Sequence, residues 1–355
     1  MQLAMRKSLV ILIAICILGA LATGLLISLL PPNAQKHASE RLVGSILSDA
    51  PPRHIDAVVS WVDGSDPVWK MKKSMYDHMY TEASAMDNTA MRFGMEEGSD
   101  VDELWYCLSC IRKHAPWVRK IYVLMDDCQA PKYSLDKFGA IRMPHSAFIQ
   151  AGSLPVFNSH AIEANLHRVP GLSEHFVYFN DDCYIRRPVL PSDFFGGDRP
   201  ILRVRKSLDH RHYKKGTRAH AGAALNSLAA LRDRFGQQTL GVVHIHHAVP
   251  LTKTMMRAAE ADYSGIWSRT SSSTFRSRDD VIPIPLALSH ALYSNPTSLA
   301  PPPSPDTIKH VFWIGDVSKA LTKKTKSIDP HFLCINGLKD PTGIDQYPRL
   351  LNLTS

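Results

Sequence analysis

Cysteine is scarce in this chain, which has six cysteines among 355 residues. A chain of this length with so few cysteines is not a small scaffold held together by disulfides. Lysine and arginine never form a run of five or more, although the formal net charge is +8. Positive charge spread in this way disfavours a nucleic-acid binder and suits anionic substrates such as nucleotides and phosphosugars.

The composition also lacks the biases of disordered or fibrous chains, since 45% of the residues are hydrophobic and 21% are charged. These fractions are typical of an ordinary globular protein. At this length the chain can bury the core of one large domain or of two small ones.

Charged side chains are missing from residues 8–30, which are rich in Leu, Ile and Ala. At about 1.5 Å per residue, a helix of this length crosses a hydrocarbon core of about 30 Å. We therefore predict a transmembrane anchor at 8–30. A cleaved signal peptide is the alternative, because Ala20-Leu-Ala22 offers the small residues of a cleavage site.

The segments on either side of 8–30 set the expected orientation. Arg6 and Lys7 lie in the preceding segment, and basic residues stay on the cytoplasmic side of a membrane. We predict a cytoplasmic tail at 1–7, a stem at 31–52 and a folded domain at 53–355, outside the cytoplasm. This is a single-pass type II arrangement.

Apolar, β-branched runs at 55–62, 120–125 and 175–179 predict strands. Apolar residues at helical spacing between them predict helices over 104–111 and 162–169. Alternating strands and helices are typical of an α/β domain with a mostly parallel central sheet that helices flank.

The cysteines of the predicted domain fall into two groups. Cys107 and Cys110 share one face of a predicted helix and have no second pair to complete a zinc site, so they are expected to be core thiols. Cys128, Cys183 and Cys334 could form a disulfide in an oxidising compartment, and the sequence does not say which two pair.

Asn180, Asp181 and Asp182 follow the third predicted strand. Ligands of α/β proteins bind at the carboxyl ends of parallel strands, and clustered oxygen ligands suit Mg²⁺ or Mn²⁺. Adjacent residues of a strand point to opposite faces, so both carboxylates reach one metal only if the strand has ended. A polar turn with no ligand is the alternative.

Asp63, Gly64 and Asp66 follow the first predicted strand. A loop in this position can bind the base, ribose or phosphates of a nucleotide, and glycine allows a close approach of the backbone. The alternative is a capped turn that leads through Asp66 and Pro67 into a helix.

Two further groups have both a structural and a functional interpretation. Asn158 is placed to cap the helix predicted after it, and Glu163 shares a helix face with His167, four residues later. His244 and His246 alternate as zinc ligands on a strand do, but no third ligand stands at a convincing spacing.

Four segments of the first half resemble the first two signature regions of the Stealth family. This family comprises microbial sugar-phosphate transferases of polysaccharide synthesis and the eukaryotic N-acetylglucosamine-1-phosphotransferase. The resemblance is order-preserving and covers about residues 53–187, with weaker similarity beyond. The four segments are Ile55-Asp-Ala-Val-Val-Ser-Trp-Val-Asp-Gly-Ser-Asp-Pro67, the stretch 102–123, Leu154-Pro-Val-Phe-Asn-Ser-His-Ala-Ile-Glu-Ala-Asn-Leu-His167 and Phe176-Val-Tyr-Phe-Asn-Asp-Asp182.

The resemblance implies a nucleotide-sugar-transferase-like fold and assigns roles to these residues. It implies that Asp181 and Asp182 hold Mg²⁺ or Mn²⁺, with Asp182 also catalytic. It implies that the loop from Asn158 to Glu163 lines the sugar or diphosphate site. The loop with Asp63, Gly64 and Asp66 corresponds to the family's first region and is expected to bind substrate.

The second half carries weaker similarity to the family's third and fourth regions. His247 is the implied catalytic base, with His246 as the alternative, and Arg276 is the implied phosphate ligand. Asn336 matches the fourth region and is expected to bind substrate. The family usually has Asp at the next position, where this chain has Gly337.

The resemblance implies transfer of a sugar-1-phosphate, with N-acetylhexosamine-1-phosphate expected, from a UDP-sugar to a glycan hydroxyl, releasing UMP. Membrane attachment and, in a eukaryote, a Golgi lumen would follow from the orientation of the anchor. A metal-dependent glycosyltransferase that releases UDP and a non-catalytic glycan-binding pseudoenzyme are the alternatives. No nucleic-acid partner is expected, and the oligomeric state stays open.

Overall fold

The computed structural model describes residues 51–77, 102–208, 219–244, 248–302, 310–314 and 330–336, with Pro348, Leu351 and Leu353. Residues 51–355 form one compact unit. Within the described ranges, no helix is both long enough and apolar enough to span a bilayer. The anchor predicted at 8–30 lies outside the described residues.

The described residues contain both helices and strands in alternation. The helices are α1 (Pro67–Asp77), α2 (Glu103–His114), α3 (Ser159–Ala164), α4 (Ala219–Phe235), α5 (Lys253–Asp262), α6 (Ser264–Ser271) and α7 (Pro283–Ser294). The strands are β1 (Ile55–Ser60), β2 (Ile121–Met125), β3 (Ala140–Pro144), β4 (His175–Asn180), β5 (Cys183–Ile185), β6 (Phe195–Gly196), β7 (Arg199–Pro200), β8 (Val204–Leu208), β9 (Gly241–His244), β10 (Val249–Thr252), β11 (His310–Ile314) and β12 (Phe332–Asn336).

A five-stranded sheet in the order β10-β4-β1-β2-β3 forms the centre of the fold. The pairs β4–β1, β1–β2 and β2–β3 are parallel, and β10 alone runs antiparallel, along β4. The predicted α/β architecture with a mostly parallel sheet is therefore confirmed. The pattern of apolar runs did not predict β3 and β10, because β3 exposes two of its five residues and β10 has only four residues.

The sheet is buried on both faces, as parallel sheets are. Along β1, Ala57 and Val59 pack into a core with Leu104, Leu108 and Ile111 of α2, whereas Val58 packs into a second core on the opposite face. The second core includes Ala161 of α3, Met256 of α5 and Leu286 of α7. The period-two alternation of β1 thus supplies both cores at once.

The second predicted helix is shorter than expected. The periodicity predicted a helix over 162–169, but α3 ends at Ala164 and a 3₁₀ turn follows at Leu166–Arg168. Asn165 interrupts the helix because its side-chain amide donates to the carbonyl of Ala161 (2.8 Å) and to the hydroxyl of Ser271 (2.9 Å). Side chains of this type compete with the helical hydrogen bonds of the backbone.

A smaller sheet in the order β11-β12-β5 continues from the end of β4. The chain leaves β4 at Asn180, turns through two residues and enters β5, which pairs antiparallel with β12. The carbonyl of Asp182 accepts a hydrogen bond from the backbone N–H of Ile335 (3.0 Å). The second sheet therefore holds the chain on the far side of the turn that ends β4.

One buried carboxylate fixes the opposite end of the central sheet. Asp56 of β1 is fully buried and accepts hydrogen bonds from the Arg119 guanidinium (2.7 and 2.8 Å). It also accepts from the backbone N–H groups of Lys120 (3.2 Å) and Ser173 (2.8 Å). These donors lie just before β2 and β4, so a single side chain joins the entries of three neighbouring strands.

We expect Asp56→Ala to lower the free energy of unfolding by about 3 kcal/mol, because it leaves two backbone N–H groups without their acceptor. Urea unfolding followed by circular dichroism measures this loss. Asp198→Ala is the matched control, because Asp198 is exposed, and we expect a change of about 0.5 kcal/mol or less. Equal losses in both variants would contradict the role given to Asp56.

Candidate active site

Three polar loops open at one edge of the central sheet. Because β4, β1 and β2 are parallel neighbours, the residues that follow them emerge at the same edge. Ser60, the last residue of β1, lies opposite Asn180 of β4 and Leu124 of β2. The edge therefore brings together the loop after β1, the loop after β2 and the Asn180–Asp182 turn.

The loop after β1 contains the predicted residues Asp63, Gly64 and Asp66, all half-buried. Asp63 Oδ1 accepts from the N–H (2.8 Å) and hydroxyl (2.6 Å) of Ser65. Asp66 Oδ1 accepts from the N–H groups of Val68 (2.8 Å) and Trp69 (3.2 Å) and so caps α1. The capped turn that was the alternative interpretation is present, and it uses one oxygen of each carboxylate in these bonds.

Asp126, which follows β2, was not predicted as a site residue from the sequence. Its carboxylate is 2% exposed, pairs with the Lys72 ammonium at 2.7 and 2.9 Å, and accepts from the N–H of Cys128 at 3.0 Å. Burial raises the pKa of Asp126, but the bonds from Lys72 and Cys128 outweigh it and hold the pKa below its ordinary value. The sequence did contain a signal for Asp126, because the acidic pair Asp126-Asp127 directly follows an apolar strand, as Asp181-Asp182 follows β4.

The Asn180–Asp182 turn begins where β4 ends, so the alternation of side chains no longer applies. Asn180 Oδ1 accepts from the Tyr178 hydroxyl (3.0 Å). Asp181 is half-buried, whereas Asp182 is 4% exposed and accepts from the Cys183 thiol at 3.5 Å. The two adjacent carboxylates therefore lie in different environments.

Glu163 lies in the neighbourhood of this turn. Burial raises the pKa of the Tyr178 hydroxyl, and the negative charges of Glu163 and Asp181 raise it further. Both carboxylates thus act on one buried phenol at the end of β4. The structure brings together α3 and the Asn180–Asp182 turn, which the sequence could only place on separate elements.

A possible metal site lies beside the same turn. In the described ranges, one group of three side chains could hold a metal ion: Asp182, Cys183 and Cys334, with ligand atoms within 4.8 Å of one another. Two thiols make this a soft donor set, whereas Mg²⁺ and Mn²⁺ prefer oxygen ligands. For such a hard cation the fitting groups are the carboxylates of Asp181 and Asp182, and the identity of the metal stays a prediction.

Asn158 is fully buried and caps α3. Its Oδ1 accepts from the N–H of His160 (3.0 Å), and its amide donates to Asp280 Oδ2 (2.9 Å) and to the carbonyl of Phe275 (3.3 Å). The capping interpretation is therefore present in the structure. The same side chain also fixes the loop that carries Arg276.

Asp280 organises that loop and was not singled out from the sequence. It is fully buried, and its Oδ2 also accepts from the N–H of Ser277 (3.0 Å) and contacts His160 Nδ1 (3.2 Å). Arg276 donates to the Ser159 hydroxyl (2.7 Å) in the first turn of α3. Asp279, adjacent in sequence, is exposed, so only the folded chain distinguishes the two carboxylates.

Aromatic rings connect this loop with the loop after β1. Phe157 stacks on Phe275 with ring centroids 5.3 Å apart and meets Trp69 of α1 edge-on at 5.6 Å. The Lys73 ammonium lies 5.3 Å from the centre of the Phe275 ring. The Arg276 loop, α3 and α1 therefore share one wall of the candidate site.

Five residues singled out from the sequence fall partly or wholly outside the described residues. His246 and His247 lie outside them, as does Gly337, and only the backbone of His244 and Asn336 is described. The strand after the histidines, β10, begins at Val249 opposite Tyr178. The described chain thus enters β10 two residues from the end of β4.

We expect Asp280→Ala to lower the free energy of unfolding by about 3 kcal/mol, because the Asn158 amide and the Ser277 N–H lose a buried acceptor. Asp279→Ala is the matched control and is expected to change stability by about 0.5 kcal/mol or less, because that side chain is solvated. Thermal or urea unfolding of both variants measures the difference. A stable Asp280→Ala chain would show that the loop is held by other contacts.

His145, directly after β3, predicts a pH dependence. Its ring is buried with no hydrogen-bond partner among the described residues, and burial lowers its pKa from 6.5 to about 4 despite nearby Asp126 and Asp127. Between these values the unfolded chain binds more protons, so stability should fall as the pH falls from 6.5 towards 4.

The same pH series separates His145 from other groups. His167 also has its pKa lowered to about 4 by burial, and burial lowers the pKa of His114 as well, so His145→Asn should remove only part of the slope. Asp126 contributes stability that is lost only below its ordinary pKa of 3.8, outside this window. Urea unfolding across the window measures the slope, and an unchanged slope in His145→Asn would refute the assignment.

Comparison with known proteins tests the resemblance drawn from the motifs. The family model described as Stealth protein conserved region 1 matches residues 53–81, and that described as conserved region 2 matches residues 98–201. A structural similarity to galactosyltransferase LgtC in complex with donor and acceptor sugar analogs has a TM-score of 0.38 at 10% identity, covering 85% of this chain and 96% of that one.

Curated relatives extend the match across most of the chain. An exopolysaccharide phosphotransferase of Streptomyces coelicolor is 35% identical over 79% of this chain and 51% of its own length. Exopolysaccharide phosphotransferase CpsY of Mycobacterium tuberculosis is 31% identical over 79% of this chain and 52% of its own. The chain thus spans about half the length of these two relatives.

A capsular polysaccharide phosphotransferase of Haemophilus influenzae matches over most of both chains. It is 32% identical over 84% of this chain and 81% of its own length. All three relatives are named polysaccharide phosphotransferases, which agrees with the predicted class of enzyme. On this identity and coverage, together with both matched signature regions, the chain belongs to the Stealth family.

Proposed function

We propose that the chain transfers a sugar-1-phosphate from a UDP-sugar to a glycan hydroxyl and releases UMP. The observation that carries the proposal is the position of α3 between an acidic strand end and an arginine. Arg276 contacts Ser159 in its first turn, and Glu163 in its last turn acts with Asp181 on Tyr178. A helix of six residues is about 9 Å long, so Arg276, at the start of α3, lies a short distance from the acidic residues at its end.

Phosphoryl transfer from a diphosphate needs charge stabilisation more than covalent help from the protein. In the proposed reaction the acceptor oxygen bonds to the phosphorus next to the sugar, and the bond from that phosphorus to the UMP oxygen breaks. Arg276 is proposed to bind the phosphate oxygens with its fork of N–H donors. Asp280 and Asn158 hold the loop that presents it.

The remaining roles follow the sequence predictions. His247 is proposed to take the proton of the acceptor hydroxyl, since an imidazole titrates near neutral pH. Asp181 and Asp182 are proposed to hold Mg²⁺ or Mn²⁺, which would neutralise diphosphate charge when bound. The loop with Asp63, Gly64 and Asp66 is proposed to bind the nucleotide.

The donor sugar and the membrane attachment are part of this proposal. An N-acetylhexosamine donor rests on the family resemblance, and the acceptor is a glycan or polysaccharide because the relatives are named polysaccharide phosphotransferases. The anchor at 8–30 would hold the domain at a membrane, facing away from the cytoplasm, in the Golgi lumen if the source is eukaryotic.

Nucleotide release by the full-length chain in detergent tests the proposal. With UDP-N-acetylglucosamine, Mg²⁺ or Mn²⁺ and simple glycosides, we expect UMP that a chelator abolishes. His247→Ala should slow release by about 100-fold or more, the typical contribution of a general base. His246→Ala should slow UMP release less than His247→Ala does. The comparison of the two variants therefore identifies which histidine is the base.

Arg276→Lys separates phosphate binding from folding, because lysine keeps the charge but loses the fork of donors. We expect UMP release to fall by about 10-fold or more, whereas Arg278→Lys, an exposed position in the same loop, should change it less than about 2-fold. UDP in place of UMP would instead establish a glycosyltransferase. Sugar binding without either nucleotide would establish a glycan-binding protein.

A further inference from the structure

Cys183 and Cys334 face each other across two strands of the second sheet. In the antiparallel pairing of β5 with β12, Cys334 lies directly opposite Cys183. Residues directly opposite in an antiparallel pair have Cβ atoms about 4.5–5.5 Å apart, and a disulfide needs about 3.5–4.5 Å, so an approach of about 1 Å is required. Both side chains are buried, at 2% and 0% exposure, so their relative position is fixed by packing.

The two sulfur atoms lie close together, within 4.8 Å of each other. A side-chain hydrogen bond joins the Cys183 and Cys334 thiols. Two thiols that share a hydrogen bond across neighbouring strands need only a small movement to bond covalently.

The other cysteines of the described residues are placed differently. Cys107 directs its thiol to the backbone carbonyl of Cys183 (3.5 Å), and Cys110 lies three residues further along α2. Cys128 is exposed in the loop after β2. No cysteine of α2 or of that loop lies opposite another cysteine in a pair of strands. The register therefore selects one pair from the five cysteines that the structure describes.

We propose that Cys183 and Cys334 form a modification site, an internal disulfide made by thiol–disulfide exchange with an oxidised thiol oxidoreductase or glutathione disulfide. The two cysteine thiols give up two hydrogen atoms in all, and an Sγ–Sγ bond forms between them. The disulfide of the reagent breaks and takes up both hydrogens, leaving as two thiols. This inference does not depend on the proposed function.

A metal held by Asp182 and the two thiolates is the competing occupant. Structural zinc sites have four protein ligands, and the described residues supply three here. The Asp182 carboxylate also accepts a hydrogen bond from the Cys183 thiol, and a metal-bound thiolate has no proton to donate in this way. These observations favour the disulfide.

The disulfide would fasten the ends of two elements that meet at the candidate active site. Cys183 follows the Asn180–Asp182 turn, and Cys334 precedes Asn336, the last residue of β12. The two cysteines are 151 positions apart in the chain, so the bond would close a long loop and restrict the unfolded state. Oxidation would therefore hold the turn and the end of β12 together.

Mass spectrometry of the full-length chain tests the site. After folding in oxidised and reduced glutathione and blocking of free thiols, trypsin releases Cys183 in peptide 169–186 and Cys334 in peptide 327–339. We expect these two peptides to be linked, with a mass lower by two hydrogen atoms than their sum, and to separate on reduction. The other cysteines of the domain leave in peptides 93–112 and 121–132, so a different pairing is recognised directly.

Stability gives a second readout. Reduction of the wild-type chain should lower its Tm by about 5 °C, since a long loop is released. Cys334→Ser should start at the lower Tm and show no response to reductant, whereas Cys128→Ser should respond as the wild type does. Free thiols at both positions, a different linked pair, or zinc retained in a one-to-one ratio would each overturn the proposal.

Discussion

The parallel pairing of β4, β1 and β2 is the constraint on which the candidate site depends. Parallel neighbours deliver their following residues to one edge, so three segments that are distant in sequence meet there. The Asp56 network at the opposite end holds the entries of the same strands in register. Without that alignment, Asp126 and the Asn180–Asp182 turn would have no common neighbourhood, and α3 would have nothing acidic beside it.

Buried polar side chains set the shape of the loops around this edge. Asp126 ties α1 to the end of β2 through Lys72, and Asp280 ties the Arg276 loop to α3 through Asn158. Each carboxylate is buried with several donors, which is the condition under which a buried charge stabilises a fold. A loop fixed in this way presents its remaining polar groups in a defined position, which phosphoryl transfer requires.

The family relationship and the geometry support each other at different levels. Two matched regions and identities of 31–35% place the chain in the Stealth family, beside relatives that are named polysaccharide phosphotransferases. The geometry adds that Asn158 acts as a cap and a loop anchor, and that Asp181 and Asp182 lie in different environments. It also shows that the smaller sheet continues directly from the edge where the candidate site lies, so the paired thiols there and the polar turn belong to one structural unit.

The sequence by itself determined the α/β class, the family and three of the five strands of the central sheet, because apolar periodicity and contiguous motifs are local properties. It indicated Asn180, Asp181 and Asp182 for the same reason, since they directly follow an apolar strand. Only the tertiary structure decided that Asp280 is buried while Asp279 is exposed, that Lys72 neutralises Asp126, and that Cys334 lies opposite Cys183. Those facts depend on contacts between residues far apart in the chain, and burial and strand register do not exist until the sheets have formed.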